Sequence, residues 1–444
     1  MSEQRQKEQQ RVIEFLSTAE AYTTRYLGNH HNPRGVASCQ HEFRTECTEG
    51  FSVPRMEDLG HLRDKDVKKI TTHTAHVFLV GPQLAFKLER AAKFPFLDMS
   101  TLELRRIATV KEICLNRSTS PEIYLGLVAV GTTNGGEFYL IPLDHEHDTS
   151  AATLPLTDPE HRQRVGQSHL EVVEYLVEMR QFKQDAVLYE VAKRGGLTRQ
   201  MMEDIVEQTV LFHSKAAVHH EEEVGSQAMQ WVADDNLKEM AEFAATSGGD
   251  HLDADKVERV CTRCVEQTKE LAPLLDRRRD NGFVRFCHGD LHLKNMVLLP
   301  GNRARLFDCI EFNDKLAISD VMYDVAFLLM DLLHQGLPVL ASVVLNRYVQ
   351  LTHDMEGLEL LPLFLADRAI IRAKVSCAEI QSHSTDDTAG IDRLQHRCVS
   401  IGACMHVLVV VHRSLFVSFF FFFSLSLSPS ICVGAHLDAQ RVGL

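Results

Sequence analysis

The segments FCHGDLHLKN, residues 286–295, and LFDCIEF, residues 306–312, are the most informative part of this sequence. The first contains the pattern H-x-D-x-x-x-x-N, and the second supplies a carboxylate thirteen residues beyond the asparagine. Between them, two short apolar runs flank Pro300-Gly-Asn302, which predicts strand, turn and strand. Folding this hairpin about its turn places Asn295 and Asp308 opposite each other, about 5 Å apart across the strands.

This arrangement brings three polar side chains to one end of a hairpin. Asn295 and Asp308 offer oxygen atoms of the kind that Mg²⁺ prefers, together with the oxygens of a phosphate. Asp290 lies on the loop just before the hairpin, where it would accept or orient the proton of an incoming hydroxyl group. The combination predicts phosphoryl transfer. In the structural alternative, Asp290 caps a turn and Asp308 ends a strand, and the spacing of the three residues is accidental.

A bound nucleotide also needs a cation near its phosphates, and Lys87 is the candidate. It lies in the apolar run LAFKL, residues 84–88, where a lysine is otherwise disfavoured. Glu112 on the following predicted helix would hold Lys87 in an ion pair. Glu103 is the rival partner, although its position in a capping-box pattern gives it another role. The alternative is an edge-strand lysine whose ammonium group extends into water.

The surrounding sequence predicts a strand-rich N-terminal half and a mainly helical C-terminal half. Period-two apolar runs predict strands at residues 76–80, 84–88, 125–130, 137–141 and 172–179. Helices are expected at residues 12–27, in several segments between 198 and 275, at 320–333 and at 361–378. A further helix begins after the capping box at residues 100–103 and ends near Arg117. Its expected core face consists of Leu104, Ile107, Val110, Ile113 and Cys114.

Composition narrows the classes of function. The 444 residues are 45% hydrophobic and 24% charged, which is ordinary globular usage and excludes a wholly disordered or fibrous chain. The formal net charge of -14 would repel phosphate backbones, so no nucleic-acid partner is expected. The polar N-terminus and eleven cysteines indicate free thiols in a reducing, cytoplasmic location. The isolated C-x-x-C of Cys261 and Cys264 is expected on one helix face rather than in a zinc or redox site.

The C-terminal segment differs in kind from the rest of the chain. Residues 414–429 read SLFVSFFFFFSLSLSP, and no charged residue occurs from 414 to 434, which is long enough to span a bilayer at about 20 residues. The codons of Phe, Ser, Leu and Pro are rich in pyrimidines, as is the polypyrimidine tract beside a splice site. We therefore favour a gene-model artefact, in which such a tract was translated, over a membrane tail or a disordered end. A membrane partner is therefore not expected. The predicted division is a partly irregular extension at 1–68, an N-lobe at 69–182, a C-lobe at 183–397 and this tail at 398–444.

The sequence from about residue 69 to 382 resembles the aminoglycoside phosphotransferase and choline kinase group of kinase-like folds. More narrowly, it looks like the phosphotransferase half of bifunctional proteins that also carry a C-terminal P-loop ATPase. The motifs that carry this resemblance include FKL at 86–88, FLDMSTLE at 96–103, MRQF at 179–182, HGDLHLKN at 288–295, FDCIEFN at 307–313 and DVMYD at 320–324.

The resemblance implies roles for individual residues. Asp290 would be the catalytic base, Asn295 and Asp308 the metal ligands, and Lys87 the lysine that contacts phosphate. Met179 would lie at the hinge that receives adenine, and His288 would hold the catalytic loop. Acidic residues that support this loop would be Asp320 and Asp324. His292 matches the motif, but neither the residues nor the resemblance assigns it a mechanism.

Two departures from the family pattern stand out. There is no G-x-G-x-x-G loop, so the run TTHT at residues 71–74 would have to cover the phosphates of the nucleotide. There is also no G-x-x-x-x-G-K-[ST] motif, so the ATPase half of the bifunctional relatives is missing from this sequence.

We therefore predict an α+β, protein-kinase-like bilobal fold with a small mixed-sheet N-lobe and a larger helical C-lobe. The expected activity is ATP-dependent transfer of the γ-phosphate to a hydroxyl of a small molecule, with Mg²⁺. Two alternatives stay open, a protein Ser/Thr kinase and a non-catalytic nucleotide-binding module. The motifs D-F-G and A-P-E are absent, and His292 replaces the lysine of protein kinases, which argues against the first. The phosphate acceptor and the oligomeric state are not predicted.

Overall fold

The computed structural model describes residues 3–27, 61–94, 97–143, 153–155, 162–163, 165–246 and 254–382. These residues form two compact units. The first combines the chain up to Glu190 with Asn295–Ala317, and the second combines Val191–Lys294 with the chain from Ile318 onward. The predicted tail at 398–444 and most of the predicted extension before residue 61 lie outside the described residues.

The first unit is built on an antiparallel sheet of seven strands in the order β1-β2-β3-β9-β6-β7, with β8 paired to β9. Its strands are β1 Val67–Thr71, β2 Ala75–Val80, β3 Leu84–Glu89, β6 Tyr124–Thr132, β7 Phe138–Leu143, β8 Thr153–Pro155 and β9 His169–Arg180, beside the small pair β4 Lys93–Phe94 and β5 Leu97–Asp98. The predicted hairpin of residues 76–88 is present, and Gly81 begins its turn with a φ of 55°. Its apolar side chains, such as Phe78 and Phe86, are fully buried.

The N-terminal segment differs from the single helix predicted for residues 12–27. The structure contains two helices, α1 Glu3–Leu16 and α2 Glu20–Thr23. The Ser17 hydroxyl donates to the Ile13 carbonyl at the break, and the Tyr22 hydroxyl donates to that of Leu16. Tyr22 packs on Phe86 with ring centroids 4.9 Å apart. This segment is therefore part of the core of the first unit, because its apolar stripe covers one face of the sheet.

Helix α3, Leu102–Arg117, begins where the capping box predicted, with the Thr101 hydroxyl accepting from the Leu104 backbone N–H. The predicted core face is wrong for three of its five residues, since Leu104, Ile107 and Cys114 are exposed. The buried face instead consists of Arg105, Ala108, Thr109, Glu112, Ile113 and Asn116. Buried ionic partners such as Glu174, 2.7 Å from Arg105, determine which face turns inward.

The hairpin of β11 Met296–Leu299 and β12 Arg303–Leu306 is present as predicted, but its register differs by one residue. Leu299 pairs with Arg303 across a three-residue loop, so the Phe307 N–H donates to the Asn295 carbonyl at 3.0 Å. Asn295 therefore lies opposite Phe307, and Asp308 follows one residue later. The hairpin packs on an apolar cluster of the first unit, although the sequence analysis grouped it with residues 183–397.

The second unit is mainly helical. Its helices are α5 Arg199–Lys215, α6 Ser226–Thr246, α7 Ala254–Glu270, α8 Ala272–Asp280, α10 Val321–His334, α11 Pro338–Thr352 and α12 Gly357–Ser382, and its two short strands are β10 Val284–Phe286 and β13 Ile318–Asp320. The remaining short helices are α4 Leu188–Lys193, at the unit boundary, and α9 Asp314–Ala317 in the first unit.

Two features stabilise the helical core. Cys261 and Cys264 are both buried on α7, as the i, i+3 spacing predicts. Arg278 is fully buried and forms ion pairs with Asp320 at 2.7 Å and Asp354 at 2.6 Å. A buried charge needs such partners because the loss of its hydration is costly.

Within the described residues, no helix combines the length and the apolar character needed to cross a membrane.

Candidate active site

Lys87 is the centre of the charged groups in the first unit. It lies on β3, and its side chain is mostly buried. Its Nζ atom is 2.9 Å from Glu112 Oε1 on α3, so the ion pair expected from the sequence is present. The rival partner, Glu103, instead pairs with Arg106 on the outer face of the helix.

Three further carboxylates surround Lys87 Nζ, at 3.2 Å for Glu89, 3.8 Å for Asp308 and 3.9 Å for Glu311. We call Glu89, Glu112, Asp308 and Glu311 the carboxylate cluster. Neither Glu89 nor Glu311 was among the site residues that the sequence predicted. The position of Glu89 beside Lys87 could have been predicted, because residues i and i+2 of a strand lie on the same face. For Glu311, the only indication in the sequence was its place three residues after Asp308.

Burial and charge act against each other in this cluster. Burial alone would lower the pKa of Lys87, but the four carboxylates outweigh burial and raise that pKa well above its ordinary value. Burial also raises the pKa of Glu112 and of Glu311, although the attraction of Lys87 opposes it. The acidic groups outnumber the single ammonium group, so a cation bound beside them would be stabilised.

Several of these side chains have the chemistry of a metal ligand. Among the described residues of the first unit, carboxylate oxygens of Glu89, Glu112 and Glu311 lie within 4.8 Å of one another. Asp308 adds a half-exposed carboxylate, and Asn295 adds an amide on the adjoining turn. All of these are hard oxygen donors of the kind that Mg²⁺ prefers.

The backbone around Asp308 is held by Tyr124 and Asn116, to which the sequence assigned no role. Asp308 adopts a left-handed φ of 63°, and its N–H donates to the Tyr124 hydroxyl at 3.1 Å. The next N–H, that of Cys309, donates to Asn116 Oδ1 at 3.0 Å. Aspartate tolerates the left-handed region better than most residues. These two bonds therefore hold the backbone that carries the Asp308 carboxylate.

Met179, predicted at the hinge, lies near the end of β9. It pairs with Ala85 of β3 and with Tyr124 of β6, so it is a central-sheet residue. Its half-buried side chain packs on the apolar cluster beneath the hairpin. Two residues later, the Gln181 N–H donates to the Gln83 carbonyl at 2.7 Å, which ends the strand. A role of Met179 in nucleotide binding stays a prediction.

In the second unit, the loop that carries His288 and Asp290 is held by Asp324 of α10. The His288 N–H donates to Asp324 Oδ2 at 3.0 Å, and the Gly289 N–H donates to Asp324 Oδ1 at 2.9 Å. His213 Nε2 lies 3.0 Å from the same carboxylate. Asp324 therefore supports this loop, in agreement with its expected structural role. Asp320 likewise accepts from the Met322 N–H and pairs with Arg278.

Asp290 itself has a partly exposed carboxylate beside the imidazole of His292. The two side chains approach to 3.2 Å, from Asp290 Oδ2 to His292 Nε2. Burial would raise the pKa of Asp290, but the neighbouring His292, Arg372 and His288 outweigh burial and hold that pKa well below its usual range. The carboxylate is consequently ionised at neutral pH, as an acceptor of protons must be.

Comparison with known proteins shows to which family the chain belongs. The family model described as the phosphotransferase enzyme family (APH) matches residues 116–361, more than half of the chain. Uncharacterized proteins of Mycobacterium bovis and Mycobacterium tuberculosis are 27% identical over 342 residues, which is 76% of this chain and 60% of theirs. The chain therefore spans about 60% of the length of the curated relatives it matches.

Solved structures to which this chain is similar include an aminoglycoside phosphotransferase and an ethanolamine kinase. The GDP complex of aminoglycoside 2'-phosphotransferase-IIIa is 13% identical with a TM-score of 0.40, and the match covers 76% of this chain and 92% of that one. Ethanolamine kinase from Plasmodium vivax is 10% identical with a TM-score of 0.40, and the match covers 76% and 81% of the two chains.

The predicted kinase-like fold is confirmed, with a sheet unit that carries Lys87 and a helical unit that carries the Asp290 loop. The resemblance to aminoglycoside phosphotransferases is confirmed as well, whereas the narrower link to bifunctional P-loop proteins stays a prediction. The family match covers both the hairpin and the loop that carries Asp290. This chain belongs to the phosphotransferase enzyme family.

Proposed function

We propose that this protein is an ATP-dependent phosphotransferase whose acceptor is a hydroxyl group of a small molecule. The observation that carries the proposal is the 2.9 Å ion pair of Lys87 with Glu112. In kinase-like enzymes, a strand lysine held by a helix glutamate contacts the nucleotide phosphates. A lysine used only to solubilise an edge strand would extend into water rather than be buried among four carboxylates.

Asp290 is proposed as the catalytic base. Its ionised carboxylate would accept the proton as the O–H bond of the acceptor breaks. A new bond then forms between that oxygen and the γ-phosphorus, while the bond from the γ-phosphorus to the oxygen that bridges it to the β-phosphate breaks and releases ADP. His288 contributes through its backbone, because its N–H is anchored on Asp324 and so keeps the loop in place.

Asn295 and Asp308 are proposed to hold Mg²⁺, and their donor atoms fit that ion. An amide and a half-exposed carboxylate are hard oxygen ligands, and the hydrogen bonds from Asp308 and Cys309 hold the turn in one conformation. When bound, the metal ion would neutralise negative charge on the phosphates of the nucleotide. Lys87 would add a second positive charge next to the same phosphates.

The first test is nucleotide binding by the full-length chain. We expect Mg·ATP to raise the unfolding temperature, because a ligand that binds only the native state stabilises it by mass action. Asp308→Ala should lose this shift, Asp290→Asn should keep it, and Glu103→Gln on the outer face of α3 serves as the control. No shift in folded wild-type protein would contradict nucleotide binding.

Turnover is tested separately, with the same variants and a panel of small hydroxyl compounds. ADP release that depends on the acceptor should disappear in Asp290→Asn, with a loss of at least about 100-fold, as expected for removal of a general base. Equal turnover in that variant would overturn the assignment of the base. A protein that binds Mg·ATP but phosphorylates nothing in the panel would favour the non-catalytic alternative.

A further inference from the structure

His292 is a conspicuous residue of the catalytic loop to which the sequence assigned no mechanism. Its imidazole is buried, and the ring packs edge-on against Phe327 of α10, with centroids 5.2 Å apart and an interplanar angle of 74°. An aromatic contact of this kind fixes the plane of a ring. The side chain is therefore held in one orientation, and its two nitrogen atoms have defined neighbours.

The two neighbours determine which nitrogen carries the proton. The Lys294 backbone N–H points at His292 Nδ1, with 3.2 Å between the nitrogen atoms. A backbone amide can only donate, so Nδ1 must accept and carries no hydrogen in this contact. The proton of the neutral ring then lies on Nε2, which is 3.2 Å from Asp290 Oδ2. The bond to one nitrogen thus sets the chemistry of the other.

Other charged groups also face the Asp290 loop from the elements packed around it. They are His288 on the loop itself, Asp324 and Asp331 on α10, and Arg368 and Arg372 on α12. Asp324 and Asp331 are already engaged by backbone N–H groups of the loop, and Arg368 donates to the Gly289 carbonyl at 3.1 Å. These contacts hold the loop backbone, whereas His292 lies within hydrogen-bonding distance of the Asp290 carboxylate itself.

We propose that His292 is a positioning residue for Asp290: its Nε2–H donates to Oδ2, which orients the carboxylate and stabilises its ionised form. The catalytic part of this inference rests on the proposed function, whereas the hydrogen bond does not. A hydrogen bond to the charged form of an acid favours that form. Loss of the donor would free the carboxylate to rotate and would make it easier to protonate.

A pair of substitutions separates donation from packing. His292→Met fills similar space without a donor, and His292→Gln places an amide N–H near the position of Nε2. We expect His292→Met to lower kcat about 10- to 100-fold, as for loss of other residues that orient a reacting group, with little change in KM for ATP. The acid limb of its pH–kcat profile should move to higher pH. His292→Gln should recover most of the activity and return the limb toward the wild-type position.

A wild-type kcat and pH profile in His292→Met would overturn the inference, provided that the wild-type enzyme is active. A merely structural role would lower the amount of folded enzyme without moving the pH profile.

If wild-type protein shows no turnover at all, the proposed function fails instead, and the hydrogen bond is tested by ¹⁵N-histidine NMR of the full chain. The His292 signal is identified as the one that is missing from the spectrum of His292→Gln. In wild-type protein this signal should show that Nε2 carries the proton, and it should shift in Asp290→Asn. Protonation on Nδ1 would contradict the inference.

Discussion

At the scale of single residues, Lys87 shows how a buried charge depends on its surroundings. Its apolar neighbours Phe86 and Leu88 offer no side-chain acceptor, and the acceptors come from the carboxylate cluster, in which Glu89 belongs to the same strand. The arrangement is reciprocal, because each buried carboxylate also needs the ammonium group. A buried ion that loses its partner retains its full desolvation cost.

We expect Lys87→Met to destabilise the first unit as well as abolish nucleotide binding. Removal of the ammonium group leaves buried carboxylates without their counter-charge, and breaking such a pair costs about 3–5 kcal/mol. Urea unfolding followed by circular dichroism measures the change. Lys93→Met is the matched control, because Lys93 is an exposed lysine paired with Asp98, and it should cost less than about 1 kcal/mol. Equal decreases in the free energy of unfolding of the two variants would contradict a stabilising role of the carboxylate cluster.

At the scale of elements, helix α3 links the sheet to the turn that carries Asp308. Its buried face is polar where it meets the site. Asn116 donates from Nδ2 to the Glu112 carbonyl at 2.9 Å and accepts from the Cys309 N–H through Oδ1. One side chain thus connects the last turns of the helix with the backbone next to the proposed metal ligand.

Asn116→Leu should therefore weaken both stability and metal-dependent binding. Leucine has nearly the same size, but it removes the acceptor of a buried N–H group, which costs about 1–3 kcal/mol. We expect a lower midpoint of urea unfolding and a smaller stabilisation by Mg·ATP than in wild-type protein. Cys114→Ser, an exposed position on the same helix, should change neither quantity. If stabilisation by Mg·ATP is unchanged in Asn116→Leu, the turn does not depend on this anchor.

At the scale of the whole molecule, the helical core contains an acid that is not neutralised by a direct ion pair. Asp367 on α12 is fully buried, and neither of its carboxylate oxygens makes a hydrogen bond of normal geometry within the part of the chain that the structure describes. Burial raises the pKa of Asp367 to about 7, despite the opposing attraction of the adjacent Arg368. Its protonation state therefore affects the stability of the folded protein.

The sign of this effect follows from proton linkage. Because the folded-state pKa of Asp367 lies above its value of 3.8 in an unfolded chain, the native state binds more protons between these two pH values. The contribution of Asp367 to the free energy of unfolding is therefore largest below about pH 4. Between about pH 4 and pH 7 this contribution falls by up to about 1.4 kcal/mol for each unit of pH, and above about pH 7 it no longer changes. Asp367→Asn removes this slope.

We expect Asp367→Asn to be more stable than wild-type protein at pH 8, with a much smaller difference at pH 4.5. Urea unfolding at a series of pH values measures the difference. Asp255→Asn, an exposed aspartate on α7, is the control and should leave the pH dependence as it is in wild-type protein. Parallel stability curves for wild-type protein and Asp367→Asn would contradict an acid that titrates in the core.

Local sequence was sufficient for the features that depend on neighbouring residues. The apolar runs around Gly81 and Gly301 predicted two hairpins that are present. A lysine in an apolar strand predicted an ion pair, and the structure contains it. These inferences succeed because backbone turns, strand alternation and the cost of burying a charge are properties of short segments.

Tertiary structure decided the rest. The buried face of α3 follows from Glu174 and Tyr124, which come from other strands, so the apolar periodicity of the helix alone indicated the wrong face. The register of the Asn295 hairpin depends on a three-residue loop, and one residue changes which side chains lie opposite each other. The role of His292 depends on a backbone N–H and on Phe327 of another helix. Sequence therefore determined which chemical groups are present, whereas packing between distant segments determined which of them meet, because burial and hydrogen-bond partners are set by the whole fold.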